Sequence, residues 1–340
     1  MSLFASRASA VPEYAEYAEY AEYAEYAEYA EYAEYAEYAE YAEYAEYAEY
    51  AEHSGRPRVA GIVGVHGIGK YRYFQAAGSA TGAAEVMRAK WDRYLHAGLA
   101  AGVPYAGESY VSEVAYYAHL LRKEKPSATK RDLRKMDSAS QLVLADWMEQ
   151  LGGAGAAGET LTGLIHRFAE WLLLRLGPHA KNFAEDFCPE VAAYFASADA
   201  AARVGARDAV ADVIRRNRPR VVIAHSLGSV VAYEALWAHP DLSVDLLITL
   251  GSPLAMRGVV FERLQPLPRA GRGRCPHGVR QWVNIADKDD IAAIPGALKS
   301  CFDGVFRDEK VNIDWADFHT VRNYLGCGAI NEYVEPFLKA

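Results

Sequence analysis

The stretch Val221-Val-Ile-Ala-His-Ser-Leu-Gly-Ser-Val-Val-Ala-Tyr-Glu-Ala235 decides how the rest of the chain is read. Arg220 to Ala224 is a short apolar run rich in β-branched residues, the pattern of a strand buried on both faces. Val230 to Ala238 reads as a helix. Between them, Ala224-His225-Ser226-Leu227-Gly228 sets a serine on a tight strand-to-helix turn, the arrangement called a nucleophile elbow. Such a turn lifts the hydroxyl above the sheet edge. It needs small residues two before and two after the serine, because strand and helix pass close together there. Gly228 meets that need, and Ala224 stands where glycine is usual, adding one methyl. The helix N-terminus beneath the serine offers free N–H groups to a developing oxyanion. The bland alternative is a buried serine in an ordinary strand–helix turn.

Outward from the elbow, strands and helices alternate. Arg58 to His66, Val111 to Tyr117, Leu246 to Leu250 and Val279 to Ala286 read as strands. Gly82 to Leu99, Glu159 to Leu176 and Ala200 to Asn217 read as helices, the last with Arg215 and Arg216 where the dipole favours them. The alternation predicts an α/β domain with a mainly parallel, doubly wound sheet. Residues 122–140 are charged and read as a surface excursion. Residues 122–195 break the alternation and read as a helical cap insertion. The expected organisation is a low-complexity leader over 1–56 and an α/β domain over 57–340.

The first strand ends in His66-Gly67-Ile68-Gly69-Lys70. A His-Gly turn in this place supplies a second oxyanion donor. We assign it to Ile68, with Leu227 giving the first, and read His66 as a brace of the turn. A rival reading exists. Gly64 to Lys70 fits most of the P-loop pattern Gly-x4-Gly-Lys-Ser/Thr. Position 71 is tyrosine, however, and a phenol does not replace the hydroxyl that ligates magnesium.

An elbow serine is followed along the chain by an acid and then a histidine. After Ser226 come His239, His277 and His319, and only His319 also follows the acidic cluster Asp287-Lys-Asp-Asp290. That cluster closes the strand Gln281 to Ala286. Asp290 is the preferred acid, because the apolar pair Ile291 and Ala292 behind it lets it face inward. Asp287, at the strand end, is the alternative. The bland reading of these carboxylates is helix capping or solvation. The chemistry expected of Ser226, Asp290 and His319 is nucleophilic attack on an acyl carbon, with Ile68 and Leu227 holding the oxyanion.

Composition narrows the classes. The chain has 340 residues and a formal net charge of -9. Glu13 to Glu52 repeats Glu-Tyr-Ala and carries 14 glutamates with no basic residue; the rest sets 36 Lys+Arg against 31 acids. Global charge therefore says little about partners, and no nucleic-acid partner is expected. In a helix the repeat wraps its tyrosines round the whole cylinder and sets glutamates against one another at i and i+3. It reads as a solvated leader, either a tether or tyrosine-rich contact surface for a protein partner, or an expansion without a role. Four widely spaced cysteines give neither a zinc site nor a disulfide framework and fit a reducing cytoplasm. Neither a signal peptide nor a membrane span is read from the sequence. No metal or cofactor is expected.

Taken in order, Val-His-Gly-Ile-Gly, Ala-His-Ser-Leu-Gly-Ser, Ile-Thr-Leu-Gly-Ser-Pro and Trp-Val-Asn-Ile-Ala-Asp resemble the α/β-hydrolase superfamily, most of all its lipase- and esterase-like bacterial members. The resemblance covers about residues 57–330 and leaves out the leader. It implies the hydrolase fold, the order of the triad and ester hydrolysis without a cofactor. It does not choose the substrate. Phe168, Trp171 and Leu172-Leu-Leu174 on the 159–176 helix, and Arg269, Arg272 and Arg274 in a Pro/Gly loop, lean towards a lipid or long-chain ester and contact with a membrane surface. Core packing and a solvated loop are the plainer readings. The other functional class carried forward is a non-catalytic binding or scaffold protein on the same fold.

Overall fold

The computed structural model describes residues 61–102, 110–122, 133–151, 160–294, 296–313 and 319–338. The leader, the first three residues of the expected opening strand, and residues 314–318 ahead of His319 lie outside the described residues.

Among the described residues eight strands follow one another: β1 (Ile62–Val65), β2 (Ser112–Ala115), β3 (Val221–His225), β4 (Val244–Leu250), β5 (Gly273–Arg274), β6 (Val279–Asp287), β7 (Phe302–Asp303) and β8 (Val305–Val311). Six of them form one sheet in the order β2-β1-β3-β4-β6-β8, with every neighbouring pair parallel. β5 and β7 pair separately. The helices are α1 (Tyr71–Ala77), α2 (Ala80–Gly102), α3 (Ala118–Leu121), α4 (Ser138–Gln150), α5 (Leu161–Tyr194), α6 (Ala201–Asn217), α7 (Leu227–Ala238), α8 (Val321–Gly326) and α9 (Asn331–Leu338).

Side chains alternate across the sheet, and both faces are covered. Ile62, Val221, Ile223, Leu246 and Ile248 pack with Trp91, Leu95 and Leu99 of α2 and with Tyr324 and Leu325 of α8. Val63, Val65, Val222, Ala224 and Leu247 pack on the other face with Val210 and Ile214 of α6, Val230 and Val231 of α7, and aromatics of α4 and α5. Double-sided burial explains why these strands are unbroken apolar runs. Each Val or Ile so buried contributes about 1.5–3 kcal/mol relative to exposure. The α/β class with a largely parallel sheet is therefore as the alternation predicts.

Several boundaries differ from the expectation. α7 starts at Leu227, directly after the serine, and not at Val230. Within 133–140, Lys135 and Asp137 to Ala139 are exposed while Leu133 and Ser140 are buried, and Asp137 caps α4 by accepting from the Ser140 N–H at 2.8 Å. α5 does not stop near Leu176 but runs on through Gly177 and Pro178 to Tyr194. Its later part buries Phe187, Val191 and Tyr194, and that packing outweighs the local breakers. β8, α1 and α9 were not anticipated. β8 reads Val-Phe-Arg-Asp-Glu-Lys-Val, a charged sequence suited to an edge strand and without the apolar signal of the central ones. No helix among the described residues is long and apolar enough to cross a membrane.

α2 and α8 touch backbone to backbone. A methyl at Gly98 would overlap the carbonyl oxygen of Leu325. Gly98→Ala is expected to lower unfolding free energy by about 1–3 kcal/mol through overpacking. A lower denaturant midpoint at constant slope is the readout. An unchanged midpoint would count against this close approach.

Candidate active site

Strand order locates the site. The chain leaves β1 for β2 on one side and returns to β3 on the other, so the connections after β1 and β3 diverge. In open α/β sheets the crevice at such a switch point, beyond the carboxyl ends of the strands, is where ligands sit. The His66–Lys70 turn follows β1 and Ser226 follows β3. Register pairs Val65 with Ala224, which sets the two side by side.

Ser226 has φ 55° and ψ −133°, a conformation that L-residues avoid. It is held there by its own N–H, which bonds the Leu250 carbonyl at 2.9 Å, and by its carbonyl, which accepts from the Ser229 N–H at 2.9 Å and the Ser229 hydroxyl at 2.6 Å. Close packing seals the turn. A methyl on Gly228 would overlap the carbonyl oxygens of Val65 and His66. A methyl on Gly67 would lie 2.6 Å from the Ser226 Cβ and 3.1 Å from its Oγ. The turn after β1 thus rests directly on the serine, with Ile68 one residue beyond the contact. Leu227 opens α7, so its N–H has no acceptor within the helix.

His319 faces Ser226 across the crevice. Its Nε2 lies 2.7 Å from Ser226 Oγ, and its Nδ1 lies 2.8 and 2.9 Å from the two oxygens of Asp290. Nδ1 beside a carboxylate carries the proton, which leaves Nε2 to accept from the serine hydroxyl. Asp290 is fully enclosed. Its other bonds come from the Ala292 N–H at 2.9 Å and the Tyr324 hydroxyl at 2.7 Å. Burial and the adjacent carboxylate push the Tyr324 phenol far above its ordinary range, so it stays a donor. The Tyr324 oxygen in turn accepts from the Asp287 N–H at 2.8 Å.

The structure therefore brings Ser226, His319 and Asp290 into one hydrogen-bonded row, and it separates the two candidate acids. Asp287 turns away, accepting from the Asp289 N–H at 2.8 Å and the Ile313 N–H at 2.5 Å. It ties the end of β6 to the end of β8. His239 bonds Asp208, and His277 packs edge-on against Trp237.

His66 braces its turn from within. Its Nδ1–H donates to the Gly67 carbonyl at 2.7 Å, its Nε2 accepts from the Tyr117 N–H at 3.1 Å, and its ring stacks on Tyr117 at 4.2 Å. Both ring nitrogens are engaged in the neutral form, and burial lowers its pKa to about 3. The P-loop reading meets an obstacle here. The Gly69 N–H is occupied by the Glu190 carboxylate at 3.1 and 3.2 Å, and the Asp186 carboxylate stands beside Gly69. A phosphate would meet acids where it needs donors.

Three residues that shape the row escaped the sequence reading. Tyr324 is one. Gly251 is the second: at φ 53° it leaves room against Asp290 and His319 that a methyl would fill. Trp147 of α4 is the third, its indole N–H bonding the Ile291 carbonyl at 2.9 Å and so steadying the acid loop. Each acts through a spatial contact that has no local signature. Phe183 lies edge-on to His319 at 4.6 Å, whereas Phe168 and Leu172 are core. Arg272 is bound to Asp303 and to the carbonyls of Lys299 and Ser300. Among the described residues no cluster of His, Cys, Asp and Glu has the geometry to hold a metal.

No protein-family model matches the chain, and neither a curated protein nor a solved structure matches it.

Tyr324→Phe removes one donor to Asp290 and strands the buried Asp287 N–H. A loss of about 1–3 kcal/mol of stability is expected, read from equilibrium denaturation. Stability should also depend on acidity. His66 and the buried His225 are both held neutral, their pKa values lowered chiefly by burial. Their contribution is complete above the ordinary histidine value near 6.5 and is lost as pH falls below it, towards about 3 for His66, by up to about 1.4 kcal/mol per pH unit for each group. His66→Asn should flatten the fall in denaturant midpoint between pH 6.5 and 4; an unaltered slope would contradict the assignment.

Proposed function

We propose that the chain is a serine hydrolase of the α/β-hydrolase superfamily, cleaving carboxylic esters. One observation carries this reading: the Ser226 hydroxyl, the His319 ring and the Asp290 carboxylate are joined end to end, with the serine on a strained elbow at the switch point of the sheet. The parallel order β2-β1-β3-β4-β6-β8 and the motif order along the chain point the same way.

In this mechanism His319 Nε2 takes the Ser226 proton as Oγ attacks the ester carbonyl carbon. The carbonyl π electrons move to oxygen, and the Leu227 and Ile68 N–H groups meet the charge that develops there. Asp290 keeps Nδ1–H in place and stabilises the imidazolium, and Tyr324 and the Ala292 N–H fix Asp290. The tetrahedral intermediate collapses, the alcohol leaves with the proton from His319, and Ser226 holds the acyl group. Water, deprotonated by the same imidazole, reverses the sequence and releases the acid. No cofactor enters.

The substrate class favoured is a lipid or long-chain acyl ester. Phe183 packs on His319 and stacks with Phe187, so the reacting groups lie under an apolar cover contributed by α5. Ser226 has no exposed surface, and an apolar acyl chain is the group that can replace such a cover without loss of hydrogen bonds. A reducing compartment, the cytoplasm, fits the four free thiols.

A fluorophosphonate probe should label the full chain on one site. Ser226→Ala should abolish labelling, and His319→Ala and Asp290→Asn should slow it by at least about a hundredfold, within the range seen when a triad member is removed. Folded protein that takes up no label would sink the hydrolase reading and leave a binding role on this fold.

A further inference from the structure

We infer that Glu190 is a positioning residue: its carboxylate, carried on α5, holds the glycine turn against Ser226 and sets the aim of the Ile68 N–H. The inference rests on the hydrolase reading above and adds to it a link between α5 and the oxyanion site.

The turn has several holds. The Tyr117 hydroxyl donates to the His66 carbonyl at 2.6 Å, and the Tyr116 hydroxyl donates to the Lys70 carbonyl at 2.8 Å. These secure its two ends. The middle is Ile68-Gly69, and Gly69, at φ 72°, has the freedom of a residue without a side chain. Its N–H is held by both Glu190 oxygens, at 3.1 and 3.2 Å. Because peptide planes are rigid, fixing the Gly69 N–H fixes the Ile68 carbonyl and restricts rotation at Ile68 itself. The proposed donor is thus aimed by a side chain that follows it by over a hundred residues.

Glu190 is almost wholly buried. Arg122, just past α3, lies 3.7 Å from it and bonds the Asp186 carboxylate at 2.7 Å and the Glu185 carbonyl at 3.1 Å. Asp186 and Glu185 share its helix, and Lys70 on the turn and the Tyr116 and Tyr117 phenols are near enough to interact with its charge. Burial, reinforced by Asp186, raises the Glu190 carboxyl to about 8 against the pull of Arg122, the Gly69 N–H and Lys70. The ionised form accepts the Gly69 N–H more strongly than the neutral acid does. The hold on the turn therefore tightens as pH rises through about 8. The same ionisation is costly to the fold. A raised acid pKa means full stability below the ordinary carboxylate range and loss as pH climbs to the folded value.

The test measures fluorophosphonate labelling rate on the full chain from pH 6 to 9.5, for wild type, Glu190→Gln and Arg122→Gln, with melting temperature alongside. Glu190→Gln keeps an oxygen acceptor but cannot ionise. It should match wild type near pH 6.5 and fall about three- to tenfold behind at pH 9, a fraction of what removing a whole oxyanion donor costs. Its melting temperature should gain on that of wild type over the same interval. Arg122→Gln should move the wild-type step to higher pH. A merely structural glutamate would shift the rate by the same factor at every pH. Wild-type protein that labels, with a Glu190→Gln profile of unchanged shape, overturns the positioning role and leaves the hydrolase reading standing. Folded wild type that never labels removes both. Should Glu190→Gln fail to fold, Arg122→Gln decides, and a step that does not move overturns the inference.

Discussion

The backbone at Ser226 is forced into a region that costs of the order of 1–3 kcal/mol, and the surrounding sheet keeps it there. β3 is central, its residues are fully buried, and the Leu250 carbonyl of β4 receives the Ser226 N–H. α7 must begin at once, and it packs so near β1 that Gly228 has no room for a methyl. The turn after β1 must then cross the serine as bare backbone, which Gly67 allows. Strain at one residue thus fixes the identity of two glycines and the line of two strands.

Around that fixed point the other groups arrive from the ends of different elements. β6 delivers Asp287 and Asp290 three residues apart, and their surroundings give them opposite duties. One closes the sheet edge towards β8; the other faces His319. α8 contributes Tyr324, which joins the two by donating to Asp290 and accepting from Asp287. The contact of Gly98 with Leu325 sets the depth of α8, so packing on one face of the sheet reaches the carboxylate beyond its strand ends. On the opposite side, α4 and α5 steady the same crevice through Trp147 and Phe183.

The sequence was most legible where one local rule governs. Apolar runs marked β1, β3, β4 and β6 because both of their faces are buried. The elbow was visible because its small residues answer a local steric demand. His319 could be named because chain order left one histidine after the acidic cluster, and Asp290 because Ile291 and Ala292 draw that loop inward. Other features had no such rule. β8 is an edge strand whose charges conceal it, and α5 runs past Gly177-Pro178 on the strength of distant packing. Tyr324 meets Asp290 only in three dimensions. Glu190 left a faint trace, a carboxylate set between Phe187-Cys188 and Val191-Ala192, which marks a buried acid in want of a partner.

The row of three spans the chain unevenly: Ser226 and Asp290 precede His319, and Tyr324 comes later still. During synthesis the central strands and the elbow are made before the imidazole exists. A nascent or prematurely terminated chain ending before residue 319 carries the serine without its imidazole neighbour. The row therefore closes only when the last part of the chain has packed onto the sheet, and a truncation ahead of residue 319 leaves Ser226 Oγ without its 2.7 Å neighbour.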